Sequence, residues 1–199
     1  METDTYDAAQ SIFRGSFDLL DITFLIILLF LLLVSALISG SEVAYFSLTP
    51  AQLDKLKEKG YDKVCSLHRK PNLLLSTILI TNNFVNVGIV IISTYLVNSL
   101  FNFSSSPVLG FIIQVILVTF LILLFGEIMP KLYANRSQVR MAILMARPLT
   151  FLTYLFRPLS VLLIKSTSII SKRIAKKDEL SIDQLSKALE LTEDAEINE

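Results

Sequence analysis

Apolar residues run along this chain in long blocks, not in short alternations. Ile22 to Ser41 carries no charge, and neither does the stretch from Pro71 to about Leu100. A third block runs from about Val108 to Pro130. Some 20 apolar residues rising ~1.5 Å each cross the hydrocarbon core of a bilayer. A helix also satisfies its own backbone N–H and C=O groups where no water can. The pattern predicts three transmembrane helices, at about 22–46, 71–100 and 108–134. A cleaved signal peptide competes for the first block, but its apolar core is about 7–15 residues behind a basic start. Here the block is longer and is preceded mostly by acids: Glu2, Asp4, Asp7, Asp18 and Asp21.

Between the blocks lie shorter patterns. "SLTPAQLDKLKEKG" offers Thr49 as an N-cap, Pro50 at the first helical position and Gly60 as a stop. A short juxtamembrane helix is expected over about 49–60, with Leu53 and Leu56 on one side; it either lies on the membrane surface or is a solvated linker. A fourth apolar stretch, "MAILMARPLTFLTYLFRPLSVLLIK", contains Arg147-Pro148 and Arg157-Pro158. Each Pro removes a donor and disfavours helix at the residue before it. Both flanks are basic, so both ends want the same side. We read about 141–170 as interfacial or re-entrant helices at the cytoplasmic face, with a true fourth span as the alternative. The 171–199 tail turns acidic, with Leu180, Leu185 and Leu189 near helical spacing, and reads as a cytosolic helical linker.

Composition agrees with a membrane chain. Hydrophobic residues make up 53% and charged residues 18%, below the ~25% charged of soluble domains. Lys+Arg and Asp+Glu are both 18, so no net field points to nucleic acid. The single Cys65 excludes an intrachain disulfide framework. The expected class is an all-α membrane protein: three transmembrane helices plus juxtamembrane or re-entrant helices at the cytoplasmic face, within a domain of residues 21–170. Basic residues orient it. Lys55, Lys57, Lys59, Lys63, Arg69 and Lys70 precede Pro71, and Lys131, Arg136 and Arg140 follow the third block, while "NSLFNFSSSP" between the second and third carries none. Cytoplasmic loops collect Lys and Arg, so the 1–20 tail is expected outside and the C-terminal end inside an inner (plasma) membrane, crossed several times.

Polar side chains at membrane depth are costly, and either pair or serve a pathway. Three clusters occur. Ser35, Ser39 and Glu42 share one helical face through offsets of four and three, and Gly40 permits close backbone approach; plain helix packing also explains small residues here. "TNNFVN" places Thr81, Asn82, Asn83 and Asn86 in the middle of the second span. A local unwinding that aims carbonyls at a ligand fits these poor helix formers; so does an Asn–Asn contact between helices. "FGEIMPK" puts Glu127 in the third span, where Pro130 cannot donate to the Gly126 carbonyl. Glu127 is the one carboxylate between Pro71 and Pro130; hydration or protonation near the interface is its other reading. Hydroxyls, amides, a carbonyl and a carboxylate are hard oxygen donors, suited to Mg²⁺ or Na⁺ and not to Zn²⁺ or copper. Cys65 and His68 read as ordinary loop residues. No Ser-His-Asp set, glycine-rich phosphate loop or HExxH pattern occurs, so no enzyme is expected.

"SALISGSE", "LLLSTILITNNFVN" and "FGEIMPK", in this order and spacing, resemble the transmembrane domain of the cyclin M/CorC family of divalent-cation transporters. The likeness covers roughly residues 24–170, and "ISGSEVAYFSLTP" is similar to the gliding-motility GldE branch. The resemblance implies a homodimer in the lipid bilayer, three spans and a juxtamembrane helical belt. It implies a dehydrated Mg²⁺ held by Ser35, Ser39, Asn86 and Glu127, with Asn82, the Thr81 carbonyl and Gly126 as further candidates. Na⁺-coupled Mg²⁺ export is the implied activity. The alternative is a non-transporting scaffold of a gliding or secretion complex with a structural ion. Family members carry Gly where Thr81 stands, which makes close backbone approach harder here. The resemblance also implies that the chain leads on into a nucleotide-binding CBS pair.

Overall fold

The computed structural model describes residues 18–101 and 106–166. It is all-α. Asp18 starts the first helix, α1 (Leu19–Phe46), by accepting from the Leu19 N–H at 2.7 Å, while its own N–H donates to Asp21 at 3.2 Å. This reciprocal capping carries the helix three residues further out than the charge-free block implied. The second span is α4 (Pro71–Leu100), entered through Pro71 at its first position, where a missing N–H costs nothing. The third is α5 (Pro107–Arg136), continuous but changing its winding over Ile122–Ile128. These three helices are long and apolar enough to cross a membrane.

Between α1 and α4 lie α2 (Pro50–Glu58) and α3 (Asp62–His68). Thr49 and Gln52 close a capping box around Pro50. Gly60, with φ +77°, ends α2: its N–H returns to Lys57 and that of Tyr61 to Leu56, the paired bonds of a Schellman stop. Leu56 is buried against Tyr45, Val64 and Met141. Its apolar side therefore packs on protein, which neither the lipid-surface reading nor the solvated-linker reading anticipated.

The fourth stretch forms α6 (Gln138–Leu155), followed after Phe156 by α7 (Arg157–Ser166). Pro148 does not interrupt α6, contrary to expectation. One lost donor is outweighed by a face on which Met141, Ala142, Met145, Ala146 and Leu149 are all buried. Arg157-Pro158 lies in the first turn of α7, where Pro is tolerated. The two helices are long and apolar enough for a span only if counted together. The chain divides into compact units at Met1–Arg157 and Pro158–Glu199; 158–166, the described part of the second, is helical. The expected 1–20 tail, apart from its last three residues, and the 171–199 linker lie outside the described residues.

Within the first unit α1 is the hub. It packs along α4, along the C-terminal half of α5 and against α6. At its C-terminal end a large core joins Ile38, Tyr45, Leu74, Ala134 and Leu149, and Tyr45 donates to the Ala142 carbonyl at 3.0 Å. Near its N-terminal end the core shrinks to Leu28, Ile89, Leu96 and Val118. Only 11% of the apolar window of α5 is buried, against 33% in α4, so α5 keeps most of its apolar surface for lipid or another protein.

Candidate metal centre

Small residues let three spans meet at one level. A Cβ on Gly40 would lie 3.2 Å from the Pro130 carbonyl and 2.8 Å from Met141 Cε. A glycine at this position lets the backbone of α1 nearly touch that of α5. One turn earlier on α1 the second approach occurs: a Cβ on Gly126 would lie 3.0 Å from Ser35 Oγ. From the other side Asn82 and Asn86, one turn apart on α4, converge on the same hydroxyl. Ser35 Oγ is 3.0 Å from Asn82 Oδ1 and 3.1 Å from Asn86 Oδ1. Ser35 itself is fully buried.

The sharing is chemically informative. A hydroxyl carries one proton, so Ser35 serves one of the two amide oxygens at a time. Ser39, one turn along the same face, is 1% exposed and its Oγ has no hydrogen-bond partner. Buried polar atoms are nearly always partnered, so an orphan one turn from a shared hydroxyl marks a place where the protein's own groups leave hydrogen-bonding capacity unused.

Irregular winding occurs, but not in the helix expected to unwind. α4 runs unbroken through Thr81 to Asn86. Thr77 and Thr81 return their hydroxyls to the Leu73 and Thr77 carbonyls, and Asn83 donates to the Leu79 carbonyl. Such back-bonding satisfies polar side chains without opening the ladder. The Thr81 carbonyl accordingly stays within a regular helix, and Asn83 faces outward. It is α5 that changes its winding, to a π-helical segment over Ile122–Ile128, where the Met129 N–H reaches back five residues to Leu124. Pro130, lacking an N–H, removes the α-helical donor for the Gly126 carbonyl, and π segments in α-helices gather at functional sites.

Glu127, next to Gly126, is half-buried and makes no hydrogen bond or ion pair among the described residues. Lys131, its one basic neighbour in sequence, is engaged elsewhere, 3.1 Å from Glu42. That pair is 40% and 36% exposed, so Glu42 leaves the Ser35–Ser39 face and belongs to the surface. The structure thus brings together Ser35, Asn82, Asn86 and Gly126. Ser39 lies one turn away, and Glu127 is attached through the chain without touching the other side chains by hydrogen bond. Among the described residues no three His, Cys, Asp or Glu side chains converge. Cys65 and His68 contact the backbone carbonyls of Leu53 and Tyr45.

Sequence reading missed a second polar tie near the N-terminal end of α1. Asp21 is 3% exposed and accepts from Ser99 at 2.6 Å. Asp18-x-x-Asp21 before an apolar run is a capping pattern that could have flagged it. Nearby, Gln114 donates to Thr94 at 2.6 Å, joining α5 to α4.

Comparison with known proteins settles the lineage. Residues 26–199 match the family model for the cyclin M transmembrane N-terminal domain. The chain belongs to the cyclin M family. It is 38% identical to a "UPF0053 protein" of Haemophilus influenzae over 140 residues, 69% of this chain and 32% of that protein. It is 30% identical to the "UPF0053 inner membrane protein YfjD" of Escherichia coli over 152 residues, 75% of this chain and 34% of that one. With "Metal transporter cnnm-4" of Caenorhabditis elegans it shares 28% identity over 171 residues, 82% of this chain and 35% of that one. This cyclin M chain therefore spans about a third of the length of these relatives. Membership of the family and three spanning helices together make it a membrane protein.

Proposed function

We propose that this chain is the ion-handling membrane domain of a divalent-cation transporter, and that its cargo is Mg²⁺. The observation that carries the reading is Ser35, whose one proton faces two amide oxygens beside the orphaned Ser39 hydroxyl. A small hard cation takes oxygen lone pairs of this kind. Its ligands are the side-chain oxygens of Ser35, Ser39, Asn82 and Asn86, the Gly126 carbonyl and the Glu127 carboxylate. The name of the Caenorhabditis elegans relative supports a metal as cargo, and the work is transport rather than catalysis.

Mg²⁺ gives up water reluctantly. Neutral oxygens from three helices replace that hydration, and Glu127 offsets part of the charge. Release follows when α1 and α5 rock apart at the Ser35–Gly126 contact, which splits the donor set. The basic residues beside them favour a cytoplasmic position for the C-terminal ends of α1 and α5. Outward movement against the membrane potential costs about 2.3 kcal/mol per charge per 100 mV. A divalent ion leaving the cell thus needs a driving ion, and Na⁺ entry, through the same oxygen-rich route, fits that need. The exposed apolar surface of α5 serves a homodimer and lipid.

The test is Mg²⁺ flux into liposomes holding the full chain, with and without a Na⁺ gradient, beside Mg²⁺-dependent thermal protection in detergent. Wild type should show both and Glu127→Gln neither. Protection without flux would overturn transport and favour a scaffold with a structural ion.

A further inference from the structure

A cavity of about 230 Å³, separate from the polar layer, opens between α3, the start of α4 and the last turns of α6. Its apolar wall includes Leu67 and Leu74, both buried. Its charged lining is Lys70 and Arg157, and no carboxylate lines it. Neither base forms an ion pair among the described residues. Thr153 also lines the cavity, and its Oγ1 is buried without a hydrogen-bond partner.

Two unpaired cations and an unpartnered hydroxyl around one small space call for an anion that accepts several hydrogen bonds. The position narrows its source. Lys70 directly precedes Pro71, where the second span begins, so the cavity lies at the membrane boundary. Tyr154 lines it while 80% exposed, as aromatic side chains at headgroup level are. A freely dissolved anion has no use for the leucine wall, whereas the upper acyl chains of a lipid do. A basic pocket at the end of a span suits an anionic headgroup.

The geometry points to a binding site for the phosphodiester headgroup of an anionic membrane phospholipid, held between Lys70 and Arg157 with Thr153 donating to a phosphate oxygen. The site shares no residue with the Mg²⁺ ligands, and the inference does not rest on them.

Native mass spectrometry of the full chain in detergent tests it, with phosphatidylglycerol or phosphatidylcholine of identical acyl chains as the probe. Wild type should retain phosphatidylglycerol and not phosphatidylcholine. The double variant Lys70→Gln/Arg157→Gln should bind phosphatidylglycerol about tenfold more weakly, as expected for losing charge-assisted hydrogen bonds. Lys57→Gln/Lys63→Gln, which removes equal charge outside the cavity, should bind as wild type does. Thr153→Val, which keeps the side-chain shape, should weaken binding by a smaller factor. Equal retention by the two double variants overturns the proposal, as does equal retention of the two lipids. Displacement of the lipid by equimolar soluble glycerol phosphate also overturns it, since the site would then take a free anion. Phosphatidylglycerol retention that rises when the acidic 178–199 tail is deleted and is then insensitive to Lys70→Gln/Arg157→Gln likewise overturns it.

Discussion

Two polar regions of this bundle lie at different depths along α1 and differ in how completely their hydrogen bonds close. Near the N-terminal end Asp21 accepts from Ser99 and from the Asp18 N–H, and Gln114 donates to Thr94. Each of these donors meets its own acceptor at 2.6–3.2 Å; Ser93, buried with no partner, is the one orphan of that half among the described residues. In the central layer one Ser35 proton is shared by two amide oxygens, Ser39 has no partner and Glu127 has no counter-charge. The first region joins helices through bonds that each close on one acceptor, with Ser93 alone left over among the described residues. The second leaves hydrogen-bonding capacity unused, which costs stability; on the proposed function a cation takes it up. Polar content alone therefore does not distinguish glue from a site; the balance of protons and lone pairs does.

That contrast can be attacked from both ends. Glu127→Gln should have the largest effect on ion binding, weakening Mg²⁺ by about 3 kcal/mol or more, the scale of losing a buried charge partner; calorimetric titration reads it. Persistence of wild-type affinity would remove Glu127 from the ligand set. Asp21→Ala should cost about 1.5–3 kcal/mol of stability, as for hydrogen bonds to a charged group, with Mg²⁺ affinity unchanged. Thermal unfolding in detergent with and without Mg²⁺ separates the two quantities, and a lost Mg²⁺ response would merge the regions. Ser39→Ala should weaken Mg²⁺ about tenfold, or ~1.4 kcal/mol. Without Mg²⁺ it should leave the protein as stable or slightly more so, because it removes an unsatisfied hydroxyl. A drop in stability without Mg²⁺ would show Ser39 to be ordinary packing. Glu42→Gln breaks an exposed pair with Lys131 and should change stability by less than about 1 kcal/mol, with no effect on ion affinity.

Much of the fold was legible because lipid imposes length and charge rules directly on sequence. Three long apolar blocks became three long helices, and Thr49, Pro50 and Gly60 bounded α2 as their capping chemistry requires. Prolines were less readable. Pro148 sits inside α6, since burial of the opposite face outweighs one missing donor. At the candidate site the sequence offered oxygen donors but pointed to the wrong irregular helix. Asn-rich α4 stays regular because its hydroxyls and amides bond back along the helix. α5 changes its winding next to Pro130, as a missing backbone donor forces some rearrangement.

By itself the sequence determined what a chain and a bilayer negotiate locally: where helices start and stop, how many are long enough to cross, and which oxygen donors lie within them. Tertiary structure alone decided which donors meet. Lys131 pairs with Glu42 and not Glu127, Gly126 approaches Ser35, and two asparagines share one proton. Those outcomes depend on the rotation and depth of one helix against another. Packing of small residues such as Gly40 and Gly126 fixes both, and no spacing within a single helix encodes them.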